Sequence, residues 1–152
     1  MARIDRPLRQ LYLSALQSRV FNDVLDARLE TLDQVQEGDV AWLHRNGACF
    51  SVDDVGAAAP RAASFEISPS GPLWGPDCPV ASGAQGDLEE RVLSAQGLSR
   101  EAFHGVRGLT GVRRPLRVPL GDPGIRSDGP DLVLEFHLPA GFFATAVLAA
   151  VT

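Results

Sequence analysis

The sequence predicts an α+β fold, with helices packed on a mixed or antiparallel sheet. Apolar residues recur at three- and four-residue steps over residues 8–29, which is the pattern of an amphipathic helix. Two short apolar runs flank an Asn-Gly pair at 46–47, as in a β-hairpin. Near the end of the chain, residues 131–138 alternate between apolar and polar side chains, which is typical of a strand.

The first predicted helix begins at Asp5, whose side chain can cap it, and runs to about Glu30. Pro7 falls in its first turn, where the missing N–H costs no hydrogen bond. The predicted hairpin has strands at 40–43 and 48–52.

The middle of the chain is less regular. Residues 56–63 are rich in alanine and contain a proline, so they fit either a loop or a helix. Residues 65–67 are a short strand candidate, and the four prolines and two glycines of 68–79 predict an irregular loop. Asp87 is expected to cap a helix that runs to about Gln96, with its buried side formed by Leu88, Val92 and Leu93.

The last part of the chain is predicted to alternate between short elements. A short helix precedes Gly105, and prolines limit the strand at 114–118 to a sheet edge. Residues 122–130 are predicted to form a turn-rich loop before the strand at 131–138. A final apolar helix is predicted at 142–150.

Composition narrows the class of protein. The chain has 152 residues, 45% of them hydrophobic and 22% charged, which is typical of a globular protein. Its net charge is −5 and all 14 basic residues are arginine, so lysine-based catalysis is excluded and binding to DNA is not expected. The charged N-terminus and the short apolar runs argue against a signal peptide or a membrane helix. We therefore expect a cytoplasmic protein.

Generic catalytic motifs do not identify an enzyme. The soft metal ligands lack the spacing of a metal site, so no metal is predicted, and the cysteines are expected to act as small hydrophobes. The adjacent acids Glu89 and Glu90 are expected on a solvated helix face. His137 is expected to be solvated or hydrogen-bonded. The five soft ligands are His44, Cys49, Cys78, His104 and His137.

One cluster of charge stands out in this acidic chain. Five arginines fall between residues 100 and 117, and arginine suits bidentate contact with phosphate. They fit either a local positive patch or ordinary surface arginines supplied by the composition. The five are Arg100, Arg107, Arg113, Arg114 and Arg117.

Four segments together resemble a known family. Residues 11–22 read LYLSALQSRVFN and 66–75 read EISPSGPLWG. Residues 113–116 read RRPL and 138–145 read LPAGFFAT. In this order they resemble the signatures of the tRNA pseudouridine synthase D (TruD) family.

The resemblance implies an isomerase that converts uridine to pseudouridine in tRNA, typically at position 13, with no metal or organic cofactor. It implies an α+β chain made of a TruD-type insertion domain plus a strand-helix segment of the catalytic domain. The insertion domain would hold the long N-terminal helix, the β-hairpin and the short helices. On this basis we expect residues 1–111 to form most of the insertion domain and 112–152 to return to the catalytic domain.

The family nucleophile is an aspartate in a Gly-x-Lys-Asp context, which a chain without lysine does not contain. The resemblance therefore assigns no catalytic residue here. It implies a C-terminal fragment that is inactive alone, with tRNA and the missing N-terminal half as partners. The alternative is a non-catalytic RNA-binding module or remnant.

The resemblance also suggests residues that bind RNA or line the active site. Ser14, Ser18 and Asn22 form one polar row on the first helix, which either faces a cleft or bonds to packed neighbours. Arg113 and Arg114 fit phosphate contact. The remaining pair, expected to lie under the active site at the start of the last helix, is Phe143 and Thr145.

Overall fold

The computed structural model describes residues 5–106 and 108–151. They form two compact units, Met1–Arg117 and Val118–Thr152. The predicted α+β class is confirmed, because helices and antiparallel sheets alternate along the chain. The first unit contains α1 (Arg6–Ala27), β1 (Val40–Leu43), β2 (Cys49–Ser51), α2 (Val55–Ala63), β3 (Ile67–Leu73), α3 (Gly83–Ala95), α4 (Glu101–His104) and β4 (Val112–Pro115).

Helix α1 begins as predicted but ends earlier. Pro7 lies in its first turn, whereas the side chain of Asp5 makes no capping hydrogen bond. A single 3₁₀ turn at Leu29–Thr31 follows the helix and accounts for the predicted extension to Glu30. The start of the helix is therefore set by proline geometry and not by a side-chain cap.

The predicted apolar stripe of α1 is only partly buried. The buried face is Gln17, Val20, Phe21 and Val24, whereas Leu8 and Tyr12 are exposed. The predicted apolar stripe is therefore covered only from about Leu13 onward, because no described element of the first unit covers Leu8 and Tyr12. The periodic pattern locates a helix but does not say which of its turns are covered.

The hairpin of β1 and β2 is confirmed. Trp42 pairs with Cys49 and Val40 with Ser51. Gly47 has the left-handed φ of 74° that the turn requires. Asn46 contributes in another way, because its side-chain oxygen accepts a hydrogen bond of 3.1 Å from the Ala48 amide.

Residues 67–73 overturn the predicted loop. They form β3, which lies inside the sheet order β2-β1-β3-β4 and is buried along most of its length. Its first half pairs with β1 and its second half with β4, so each half has a partner on one side. Prolines are tolerated there because a half-paired strand leaves half of its N–H groups outside the ladder.

The helices also depart from the predicted boundaries. Residues 56–63, which fitted either a loop or a helix, belong to α2, and Asp54 caps it through the Ala57 amide at 3.1 Å. The prediction that Asp87 caps the next helix is wrong, because α3 already begins at Gly83. The short helix before Gly105 is confirmed as α4.

Two hydrophobic clusters hold the first unit together. One lies between the hairpin, α2 and the start of β3, and includes Val52 and Ile67. The other lies under α1, α3 and α4, and includes Val20, Leu93 and Phe103. The first cluster includes Ile67 at the start of β3 and the second includes Trp74, the residue that follows β3, so this strand connects the two clusters.

The second unit contains β5 (Gly121–Asp128), β6 (Asp131–His137) and α5 (Ala144–Val151). The strand predicted at 131–138 and the final helix are confirmed. The predicted loop at 122–130 is wrong, because most of it is β5, paired antiparallel with β6. Pro123 fits this strand because the pairing is irregular between Gly121 and Gly124. No helix in the described ranges is long and apolar enough to cross a bilayer.

Candidate functional site

Arg113 is buried in an ion pair with Glu89. Its Nη2 lies 2.8 Å from Oε1 of Glu89 and its Nη1 lies 3.0 Å from Oε2, which is a bidentate arrangement. Its Nε donates to the Ser70 hydroxyl at 3.1 Å, and Arg113 is only 2% exposed. The predicted phosphate contact of Arg113 is therefore not supported, and the predicted solvated face is wrong for Glu89.

This pair belongs to a longer chain of buried polar groups. Gln85 donates to Glu89 at 2.9 Å and accepts from Arg28, which in turn forms an ion pair of 2.9 Å with Asp39. The network joins the end of α1, the loop before β1, and helix α3 to β4. Burial of charge is tolerated here because Arg28, Asp39, Glu89 and Arg113, the charged groups of this network, each have an ionic partner within it.

The remaining arginines of the predicted patch do not share one surface. Arg114 lies with its guanidinium 5.5 Å from the ring centroid of Phe21. Arg100 pairs with Glu90 at 2.5 Å on the outside of α3. Arg117 stacks on Phe65, 4.3 Å from its ring centroid. Arg107 lies outside the described residues. The segment 100–117 is thus basic in sequence without forming a continuous patch of free cations in the described chain.

The polar row of α1 is exposed to solvent. Ser14, Ser18 and Asn22 are exposed and lie beside the buried face. Leu11, which is 63% exposed, lies on the same side. Of the two predicted interpretations, the exposure favours a surface that faces a cleft or a ligand over one that bonds to packed neighbours.

Two of the quoted sequence segments and the loop before β4 meet in space through Gln17. Its Nε2 donates to the backbone oxygen of Trp74 at 2.7 Å and to that of Thr110 at 3.0 Å. Sequence reasoning missed Gln17 as a buried residue. The available signal was a polar residue placed on the face that carries Val20 and Val24.

Two glycines let the same segments approach closely. A Cβ on Gly75 would lie 2.5 Å from the Gly111 amide nitrogen, and a Cβ on Gly111 would lie 2.4 Å from the Gly75 oxygen. Neither position has room for a side chain, because real Cβ atoms do not approach backbone so closely. The loop after β3 and the loop before β4 therefore touch backbone to backbone.

The residues predicted at the start of the last helix are exposed in the second unit. Phe143 directly precedes α5 and is 73% exposed, and Thr145 is exposed in its first turn. Their assignment as residues that line an active site stays a prediction.

The thiols and imidazoles do not form a nucleophilic or metal site. Burial raises the pKa of Cys78 to about 11, which disfavours the thiolate, and it also raises the pKa of Cys49. His44 Nε2 lies 2.8 Å from the hydroxyl of Ser68, but this serine is fully buried. Burial, and then the charge of Arg117, lower the pKa of His44. Within the described ranges, no group of three or more His, Cys, Asp and Glu side chains is placed to hold a metal ion.

The whole-chain fold has a solved counterpart. A crystal structure described as that of the putative tRNA pseudouridine synthase D (TruD) from Methanosarcina mazei matches it with a TM-score of 0.78 and 26% sequence identity. The match covers 95% of this chain and 38% of that chain. The fold is therefore one that occurs in a protein described as a pseudouridine synthase.

Curated relatives named tRNA pseudouridine synthase D match the chain more closely in sequence. The protein from Geobacter metallireducens is 56% identical over 150 residues, which is 97% of this chain and 37% of the relative. The Thermus thermophilus protein is 41% identical over 95% of this chain and 40% of its own length. The family model described as tRNA pseudouridine synthase D (TruD) matches residues 1–151. The chain belongs to the TruD family, and it spans less than half the length of these relatives.

Proposed function

We propose that this chain forms the C-terminal portion of a tRNA pseudouridine synthase, an isomerase that converts uridine in tRNA to pseudouridine. The observation that carries the proposal is the family match over residues 1–151. The nucleophilic aspartate of the family would come from the part of the enzyme that this chain does not match. The partners are then tRNA and that catalytic part, and the place of action is the cytoplasm.

The polar row of α1 is the part of this chain best placed to face tRNA or the catalytic part. Ser14, Ser18 and Asn22 offer hydrogen-bonding groups on an open helix face. We assign the same kind of role to Phe143 and Thr145, which are exposed at the start of α5. Arg114 is a further candidate for phosphate contact, whereas Arg113 holds the fold together.

The proposal keeps the two predicted regions. Residues 1–111 would form most of the insertion domain, and 112–152 would return to the catalytic domain. The antiparallel pairing of β3 with β4 means that the returning segment begins inside the first compact unit.

A graft tests the proposed activity. The 150 matching residues of the Geobacter metallireducens relative would be replaced by this chain, and pseudouridine would be mapped in unmodified tRNA after incubation. The graft is expected to modify tRNA, and this chain alone is expected to leave it unmodified. A graft that folds and binds tRNA but forms no pseudouridine would contradict the proposed function, and robust product from this chain alone would contradict its inactivity.

A further inference from the structure

A second group of basic side chains, which shares only Arg117 with the predicted segment 100–117, lies near Phe65 and the adjacent Glu66 in the first unit. It comprises His44 and Arg45 after β1, Arg61 near the end of α2, Phe65 before β3, and Arg117 after β4. We name these five residues the Phe65 cluster. Because they come from four separate segments, the cluster exists only in the folded protein.

Arg117 and His44 lie beside the ring of Phe65. The guanidinium of Arg117 lies 4.3 Å from the ring centroid, within the range of a cation–π contact. The imidazole of His44 lies 6.4 Å from the same centroid at an interplanar angle of 57°. One Arg117 nitrogen donates to the Ala62 oxygen, whereas its Nε is buried without a hydrogen-bond partner. Stacked planar groups of this kind are the surfaces on which RNA bases stack.

Phe65 keeps a backbone conformation that is unfavourable for its side chain. Its φ is 56°, in the left-handed region, and the residue as a whole is 36% exposed. Asn or Gly adopts this conformation more readily than a bulky aromatic residue. Strained backbone is found preferentially at functional sites, so the strain at Phe65 supports a binding role for its partly exposed side chain.

The charges around the ring favour an anion. Arg61 donates to Oε1 of Glu66 from Nε at 3.0 Å and from Nη2 at 2.8 Å. Arg61 also lies 5.2 Å from the ring centroid of Phe50. Its hydrogen bond is the main cause that lowers the pKa of Glu66, and the charge of the exposed Arg45 adds to this effect. The three guanidiniums outnumber Glu66 and the more distant Asp33, whose charge acts on Arg117. The cluster is therefore locally positive in a chain of net charge −5.

We infer that the Phe65 cluster binds an unpaired stretch of RNA, with a base stacked against Phe65 and Arg117 and the flanking phosphates held by Arg45 and Arg61. The identity of the RNA as tRNA rests on the proposed function. The inference deepens that function by assigning a single-strand contact to a surface apart from the polar row of α1.

Binding of the full chain to a fluorescent single-stranded RNA hexamer tests the inference. Phe65→Asn removes the ring but suits the left-handed backbone, so it should weaken binding about ten-fold without lowering the melting temperature. Arg61→Gln should weaken binding and reduce the slope of log affinity against log salt by about 0.7, as expected for one lost phosphate contact. Arg91→Gln, an exposed arginine of α3 outside the cluster, is the matched control and should bind like the original chain.

The outcomes separate this inference from the proposed function. Unchanged affinity in both Phe65→Asn and Arg61→Gln would overturn the inference, as would an equal loss in Arg91→Gln, which would indicate general electrostatic attraction. A duplex of the same sequence bound as tightly as the hexamer would also overturn it. If the graft is inactive while hexamer binding depends on Phe65, RNA binding by the Phe65 cluster is supported and the proposed function is contradicted. If the graft is active and Phe65→Asn binds the hexamer normally, the proposed function is supported and RNA binding by the cluster is contradicted.

Discussion

The Glu89 carboxylate and the Arg113 guanidinium form a bidentate ion pair in which both side chains are almost completely buried. The next residue of the same helix makes the same kind of ion pair, but in a solvent-exposed position. Glu90, the next residue of α3, pairs with Arg100 at 2.5 Å where both side chains are more than a third exposed. The two pairs therefore allow the effect of burial on an ion pair to be measured within one helix.

The buried pair is expected to be far more important for stability than the exposed one. Arg113→Ala should lower the free energy of unfolding by about 3–5 kcal/mol, because it leaves the Glu89 charge buried without its partner. Arg100→Ala, the matched control, should cost about 0–1 kcal/mol. Urea denaturation of the three proteins gives both values. Equal losses in the two variants would contradict the assignment of Arg113 as a structural residue.

Gln17 is expected to stabilise the junction of α1 with the loop after β3 and the loop before β4. Gln17→Ala removes the donor to the Trp74 and Thr110 oxygens and should cost about 1–3 kcal/mol, because two acceptors lose a partner. Gln10→Ala, at an exposed position of the same helix, should change stability by less than about 0.5 kcal/mol. Thermal unfolding followed by tryptophan fluorescence reports the difference. A melting temperature unaffected by Gln17→Ala would show that the two bonds are not needed.

The contact between the loop after β3 and the loop before β4 should not tolerate an added methyl group. Gly75→Ala places a Cβ against the backbone of residues 110 and 111, so the loops must separate and the protein should lose several kcal/mol. Gly105→Ala is the control, because a Cβ there meets nothing within 4 Å and its φ is not positive. Circular dichroism before and during thermal unfolding measures the change. Equal stability of the two variants would refute the close approach.

Stability should fall in mild acid in part through His44. Burial holds its pKa in the folded protein below the ordinary histidine value of about 6.5, so the unfolded chain binds the proton more readily. The contribution of His44 is thus complete above pH 6.5 and is lost as the pH falls through this value toward the lower folded pKa. His44→Gln, which retains hydrogen-bonding ability toward Ser68, should show a smaller loss of unfolding free energy between about pH 7 and pH 5. Parallel curves for the two proteins would contradict this.

Local patterns predicted the elements whose partners are near in sequence. The hairpin of β1 and β2 followed from Asn46 and Gly47, because the turn residues themselves determine the pairing. Strand β3 was missed because its stability comes from β1 and β4, which lie far along the chain, and its prolines and glycine favour a loop locally. Strand β5 is an exception, because its partner β6 directly follows it; it was missed because its own glycines, proline and charged residues favour a loop locally.

In the candidate site, too, the sequence predicted what local spacing determines and missed what depends on distant segments. The row of Ser14, Ser18 and Asn22 was predictable because helical spacing alone places these residues on one face. The burial of Glu89 was not, because it depends on Arg113 of another segment, whereas its neighbour Glu90 is exposed as expected of an acidic pair. The Phe65 cluster was invisible for the same reason, since its arginines are distributed from residue 45 to residue 117.

Strand β3 changes partner between Pro69, which pairs with β1, and Ser70, which pairs with β4. The Ser70 hydroxyl donates to the Val40 oxygen and accepts from Arg113, so it ties both neighbours together at the crossover point. A disturbance on one side of the sheet can therefore reach the other through this hydroxyl as well as through the β3 backbone. We expect the two halves of the core to unfold together, although each is assembled around its own set of apolar side chains.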